Sequence, residues 1–160
     1  FRGLDDPAVQ APIAAAMGDL GVAPDRLIFE GRAHHFDFLD TYNRIDIALD
    51  TFPYSGGLTT CEALWMGVPT VTFPGQTFAG RHATSHLHAA GFGHLVAQNR
   101  SSMITTAVDL SNDLESLSDL RASMRERVAV SALCDGKRFA KNFDQAMRLA
   151  WHDCCNQQSV

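Results

Sequence analysis

Gly56, Gly57, Thr59, Thr60 and Glu62 crowd the centre of the stretch DIALDTFPYSGGLTTCEALWMGVPTVT, Asp46–Thr72, and their types and order suit a phosphorylated ligand. Two successive glycines let the backbone turn with positive φ and approach a ligand closely. Two hydroxyls at a helix start join the free N–H groups and the positive dipole end found there, a combination that suits phosphate or pyrophosphate. Glu62 follows, where a carboxylate could accept two hydrogen bonds from a ribose diol. Thr59-Thr60-Cys61-Glu62 also reads as a capping box, in which Glu62 reaches back to the N-cap amide with no ligand involved. Spacing alone leaves both readings open.

Such a loop needs a strand on each side. Ile45, Ile47, Ala48 and Leu49 form a short apolar run ending at Asp50, and Thr70–Phe73 forms another, the pattern of buried parallel strands. The loop Thr51–Leu58 and a helix join them. The glycines and threonines then fall at the carboxyl edge of the sheet, where open α/β folds bind nucleotides. The expected fold is therefore α/β, a Rossmann-like parallel sheet flanked by helices.

The flanking segments fit that plan. Asp5-Asp6-Pro7 is a helix start with Pro7 at the first helical position, and Ala8–Leu20 carries Val9, Ile13, Ala16, Met17 and Leu20 on one face up to a stop at Gly21. Leu27, Ile28 and Phe29 predict a short strand, Gly31–His35 a loop at its end, and Phe36–Arg44 a helix. After Pro74-Gly75 a helix is expected over Phe78–Ala90, and Gly91 and Gly93 end it before a last strand at Leu95–Ala97. Residues 101–155 read as a helical carboxy-terminal part: Met103–Leu110, Leu114–Leu133 and Arg138–Trp151. Leu114, Leu117, Leu120, Met124 and Val128 repeat with helical period and should pack on the sheet or on neighbouring helices. Phe139, Phe143, Met147 and Trp151 form a second stripe, and Asn156–Val160 reads as a frayed tail.

The helix expected at Phe78–Ala90 carries Arg81, His82, His86 and His88. Arg81 could serve a diphosphate, although an arginine in a first helical turn more often pairs with a carboxylate. His82 and His86 have the spacing of helical zinc ligands, but Ala83 and Thr84 follow His82 and the glutamate of the zinc-protease motif is missing. No metal is expected.

Composition sets the outer bounds. The 160 residues suit one domain with a true core, at 46% hydrophobic content, and 13 basic against 18 acidic residues give a net charge of −5. No basic cluster exceeds Gly136-Lys137-Arg138, which argues against a nucleic-acid partner. Cys61, Cys134, Cys154 and Cys155 show no Cys-x-x-Cys spacing and imply no disulfide framework. With no apolar run of membrane-spanning length and no signal-peptide pattern, a cytoplasmic protein without a membrane partner is expected.

The run LDTFPYSGGLTTCEALWMGVPTVTFPG, followed by TFAGRHATSHL, resembles the nucleotide-sugar site of the O-linked N-acetylglucosamine transferase family in its bacterial form, fused to tetratricopeptide repeats. The likeness runs from about Leu27 to Leu95, and the family's carboxy-terminal catalytic lobe would cover nearly the whole chain. That lobe is half of a two-lobed GT-B glycosyltransferase and holds the UDP of a UDP-sugar. By resemblance, Thr59 and Thr60 are the paired threonines that donate to the diphosphate and Gly57 is the glycine before them. Glu62 is the acidic residue on the uridine ribose, one residue nearer the threonines than in the animal enzymes. Leu58 stands where those enzymes have a histidine beside the ribose, His35 where they have a lysine near the nucleotide, and Phe38 where a histidine packs on it. Arg81 matches an arginine of the pattern.

The resemblance implies inverting transfer of a sugar to a Ser or Thr hydroxyl of a protein acceptor, with the diphosphate as leaving group and no metal or other cofactor. It supplies no general base in this chain. It further implies a missing amino-terminal lobe and repeats, so that residues 1–160 are one nucleotide-sugar-binding lobe, a fragment inactive by itself whose sheet has lost its first strand or keeps a remnant of it. Two rivals stand beside it: a GT-B transferase with another donor, such as a GDP-sugar or UDP-glucose, and a non-catalytic nucleotide-binding or scaffold module, which Leu58 and Phe38 favour.

Overall fold

The computed structural model describes residues 4–157. The chain divides into two compact units, one running to Thr41 and one from Tyr42 onward.

In the first unit, α1 spans Pro7–Asp19, and Asp6 caps it by accepting from the Ala8 amide at 2.8 Å. The expected start therefore holds, and Gly21, at φ +82°, ends the turn that follows. The expected apolar face is not a buried one, for no residue of α1 is buried. No strand forms at Leu27–Phe29. Pro24 opens a 3-10 turn, Pro24–Arg26, that takes the Leu27 amide onto the Pro24 carbonyl at 3.1 Å, so this amide cannot enter a ladder. The chain is tied back where Leu4 N donates to Glu30 O and the Asp5 carboxylate accepts from Arg32 N. Helix α2, His35–Thr41, is shorter than the predicted Phe36–Arg44.

The second unit opens with a 3-10 turn at Tyr42–Arg44, closed by Ile45 N on Tyr42 O. Strands β1, Ala48–Leu49, and β2, Thr70–Val71, run parallel with Ala48 opposite Thr70 and Leu49 opposite Val71. Thr72 and Val96 form a further parallel bridge, so the chain at Val96 lies beside β2 on the side away from β1. The sheet is thus parallel, as expected, with ladders shorter than the apolar runs. Helix α3, Leu58–Trp65, makes the first crossover and α4, His82–Ala89, the second. Helix α4 starts later than the predicted Phe78 because Gly75 N donates to Gly80 O at 2.8 Å and the two glycine backbones touch. A Cβ on Gly80 would come within 3.1 Å of Gly75 Cα.

Helices α5, Arg100–Asn112, and α6, Leu114–Ala129, follow. Asn99 and Ser102 form a capping box at α5, and Asp113 caps α6 by accepting from Ser116 N and Ser116 Oγ. Those bonds to the ionised form hold the Asp113 carboxyl below its ordinary range. The main core joins Leu64 of α3, Leu87 of α4, Phe92 and Leu95 to Met124 and Val128 of α6. A smaller cluster joins Val71, Ala97 and Met103. The leucine stripe of α6 is therefore only partly a core stripe: Leu117, Met124 and Val128 are buried, whereas Leu114 is 71% exposed. Helix α7, Gly136–Gln157, runs through the expected tail at Asn156, and residues 158–160 lie outside the described ones. Its Phe139, Phe143, Met147 and Trp151 are all more than half exposed. No helix among the described residues is long and apolar enough to cross a membrane.

Met124 is 0% exposed at the centre of the main core. Met124→Ala should lower unfolding free energy by about 2–5 kcal/mol, whereas Leu114→Ala should change it by no more than about 0.5 kcal/mol. Urea denaturation followed by circular dichroism checks both.

Candidate nucleotide-sugar site

The carboxyl end of β1 delivers Asp50, whose amide donates to Val71 O at 3.0 Å and whose side chain organises everything around it. Asp50 Oδ2 accepts from Ser55 Oγ at 2.7 Å and from Thr72 Oγ1 at 2.6 Å, and Oδ1 accepts from Gly56 N at 2.7 Å. Ser55 is buried; its Oγ accepts from Ala83 N at 2.9 Å and its amide donates to Ala79 O at 2.9 Å. One carboxylate thereby joins the ends of β1 and β2 to the glycine loop and, through Ser55, to the first turn of α4. Bonds to an ionised acceptor are the strong ones, which is why so few fix the loop.

Gly57 is the N-cap of α3, and no side chain caps it. Thr60 N donates to Gly57 O at 3.1 Å, and Thr60 Oγ1 donates to Gly56 O at 2.9 Å, pulling the helix start ahead of the threonines. This corrects the capping-box reading: Thr59 lies inside the first turn and Glu62 in the second, so neither holds the helix end. Among the described residues no acceptor meets the amides of Gly57, Leu58 or Thr59, and such open N–H groups carry the positive end of the helix dipole. Gly56 is needed here because a Cβ would stand 2.7 Å from Thr60 Oγ1 and 3.0 Å from Thr59 Oγ1.

Beside this helix end lies an open depression of about 160 Å³, lined by Tyr42, Asp50, Thr51, Gly56, Thr59, Thr60 and Thr70 among others. Tyr42 OH donates to Thr59 O at 3.0 Å. Thr70 Oγ1 is buried with no hydrogen-bond partner among the described residues, although a buried hydroxyl normally has one. On the other flank, the His82 ring meets Phe78 at 4.7 Å and Tyr54 at 6.1 Å, edge-on in both cases. Burial first, and then the charge of His82, lowers the proton affinity of His86 below the ordinary imidazole range. Among the described residues no group of three or more His, Cys, Asp or Glu could hold a metal ion.

The structure brings Gly57, Leu58, Thr59, Thr60 and Glu62 together on the first two turns of α3, with Leu58 71% exposed, Thr59 exposed and Thr60 buried. Arg81 is the exposed N-cap of α4 rather than a first-turn residue, and no carboxylate among the described residues pairs with it. His35 and Phe38 lie on α2 in the other unit, His35 exposed and Phe38 half-buried. Sequence reasoning missed Asp50, Ser55 and Thr72. The available signal was an acid at the end of an apolar strand followed by a serine before two glycines.

This constellation is a helix end with open amides at the carboxyl edge of a parallel sheet. Residues 4–143 match the family described as Glycosyl transferase family 41, and the chain belongs to that family. It is 38% identical over 150 residues to the probable UDP-N-acetylglucosamine--peptide N-acetylglucosaminyltransferase SPINDLY of Solanum lycopersicum, covering 93% of this chain and 16% of that protein. It is 32% identical over 131 residues to the UDP-N-acetylglucosamine--peptide N-acetylglucosaminyltransferase of Caenorhabditis elegans, covering 82% of this chain and 11% of that protein. Among solved structures, a mutant of Thermobaculum terrenum O-GlcNAc transferase superposes with a TM-score of 0.85 at 39% identity, covering 99% of this chain and 31% of that one. The fold is thus α/β, of the GT-B type, and the chain spans a small part of the length of the relatives it matches.

Asp50→Asn should lower unfolding free energy by about 1–3 kcal/mol, because an amide has one acceptor oxygen for three buried donors and turns an N–H toward one of them. Thr59→Ala, which removes no cap, should stay within about 0.5 kcal/mol of the parent. Thermal and urea denaturation of both variants checks the pair.

Proposed function

We propose that the amino end of α3, Gly56–Thr60, holds the diphosphate of a UDP-sugar, and that the chain is the donor-binding lobe of a protein O-glycosyltransferase. The carrying observation is the row of open amides at Gly57, Leu58 and Thr59 on a loop fixed by Asp50. As the sugar leaves for a Ser or Thr hydroxyl, with inversion, negative charge grows on the diphosphate. The amides, the helix dipole and the Thr59 hydroxyl stabilise it there without a metal, while the Thr60 hydroxyl, donating to Gly56 O, holds the loop against the helix start. Glu62 accepts from the ribose diol, and Leu58 and Arg81 complete the nucleotide surroundings within the second unit. The names of the relatives support UDP-N-acetylglucosamine as donor and a peptide as acceptor. A second lobe and repeats, absent from this chain, supply the acceptor groove, and the exposed Phe139, Phe143, Met147 and Trp151 of α7 fit such a partner surface. A cytoplasmic setting suits this assignment.

One observation favours a non-catalytic nucleotide-binding module: Leu58 is exposed where the resemblance places a histidine beside the ribose. Titration calorimetry addresses both readings. UDP should bind without added metal and more tightly than GDP or UMP. Glu62→Gln should weaken UDP by roughly 1–2 kcal/mol, about five- to thirty-fold, at an unchanged melting temperature. Equal affinities for UDP and GDP would remove the uridine assignment, and unchanged UDP affinity in Glu62→Gln would remove the ribose contact.

A further inference from the structure

Side chains alternate along a strand, so Thr70 and Thr72 share one face of the sheet while Val71 turns to the other, into the cluster with Ala97 and Met103. Ala48 and Asp50 lie on the threonine face, since Thr72 Oγ1 donates to Asp50 Oδ2 and Ala48 is registered against Thr70. The two threonines differ in what they meet. Thr72 has a carboxylate, whereas Thr70 has the Ala48 methyl, which accepts nothing. Thr70 is buried at 3% exposure, and its Oγ1 has no partner among the described residues. An unpaired buried hydroxyl is costly, and a valine of the same shape would avoid that cost.

Thr70 lines the depression of about 160 Å³ beside the start of α3, together with Asp50, Thr51, Thr59 and Thr60. Its hydroxyl and methyl are nearly equal in size, so a turn about χ1 exchanges them without displacing a neighbour. Around the depression, Thr51 Oγ1 donates to Tyr54 O, Thr60 Oγ1 to Gly56 O and Tyr42 OH to Thr59 O. These hydroxyls have their protons engaged and lone pairs left to accept. No lysine, arginine or histidine lines the space, and the Asp50 carboxylate does. Charge therefore keeps a phosphate on the open amides at the rim, while hydroxyl groups, which both donate and accept, match the walls inside. We infer that the depression is a subsite for a hydroxyl-bearing ring of the donor, the ribose or the transferred sugar, and that Thr70 Oγ1 bonds a ring hydroxyl there. The inference rests on the reading of Gly56–Thr60 as the diphosphate site, which brings the rings on either side of the diphosphate next to the depression. Thr70 is then paired only when the donor is bound, and it adds affinity at some cost to the empty fold.

The test is titration calorimetry of the whole chain with UDP-N-acetylglucosamine, UDP and inorganic pyrophosphate, applied to the parent, Thr70→Val and Thr70→Ser. Valine removes the hydroxyl and keeps the shape, whereas serine keeps the hydroxyl. Without ligand, Thr70→Val should melt no lower than the parent. It should bind UDP-N-acetylglucosamine about three- to tenfold more weakly, and Thr70→Ser should keep the parent's affinity. A loss that UDP shares identifies the ribose as the ring, and a loss confined to UDP-N-acetylglucosamine identifies the transferred sugar. Pyrophosphate should bind the parent and Thr70→Val alike; an equal loss there would assign the hydroxyl to the diphosphate and overturn the subsite. Parent-like affinity for UDP-N-acetylglucosamine in Thr70→Val, or equal weakening in Thr70→Ser, overturns it as well. So does a Thr70→Val chain that melts lower than the parent, since the hydroxyl would then have a partner in the empty fold. Failure of the parent to bind UDP-N-acetylglucosamine overturns instead the reading of the helix end as a diphosphate site.

Discussion

The Asp50 carboxylate is the constraint on which the second unit depends. It sits where β1 ends and receives Ser55, Gly56 and Thr72, three donors from two different segments of chain. Without an ionised acceptor, two buried hydroxyls and a loop amide would be left unsatisfied at the edge of a very short sheet, at a cost no local propensity offsets. With it, the glycine loop is held against the strand ends and α3 begins ahead of Thr59, with Gly57 as its N-cap. The open amides of that helix follow from this placement, because the loop that could have capped them is held by the carboxylate instead.

Much of this was legible in sequence, and what failed did so for physical reasons. The parallel βα unit around Gly56 and Gly57 came from apolar runs and turn residues, which are local signals, and α1 came from Asp6, Pro7 and Gly21. The strand expected at Leu27–Phe29 was lost to the turn opened by Pro24, and the early start of α4 was blocked by the contact of Gly75 with Gly80, two residues that become neighbours only in the fold. The capping box failed similarly, since its residues are present but the helix begins before Thr59, with Gly57 as its N-cap. Asp50, Ser55 and Thr72 were invisible as a set because side-chain bonds between strand ends leave no periodicity.

The site residues divide along the same line. Gly57, Leu58, Thr59, Thr60 and Glu62 are contiguous or nearly so, and one helix start assembles them, so their motif is readable directly. His35 and Phe38 sit on another element and entered only through resemblance, whereas Arg81, at the start of α4, entered on its charge as well. The chain belongs to glycosyl transferase family 41 and spans less than a third of the matched O-GlcNAc transferase. Two helix starts, α3 and α4, flank one glycine loop, and both are positioned by a single carboxylate through Ser55 and Gly56.

The central claim is that the open amides of α3 meet the diphosphate. Amide chemical shifts of the isotopically labelled chain, followed by nuclear magnetic resonance while UDP is added, test it residue by residue. The account predicts saturable shifts that are largest at Gly56, Gly57, Leu58, Thr59 and Thr60, with α6 and α7 unmoved. Saturation that leaves those amides in place while residues elsewhere shift would contradict it.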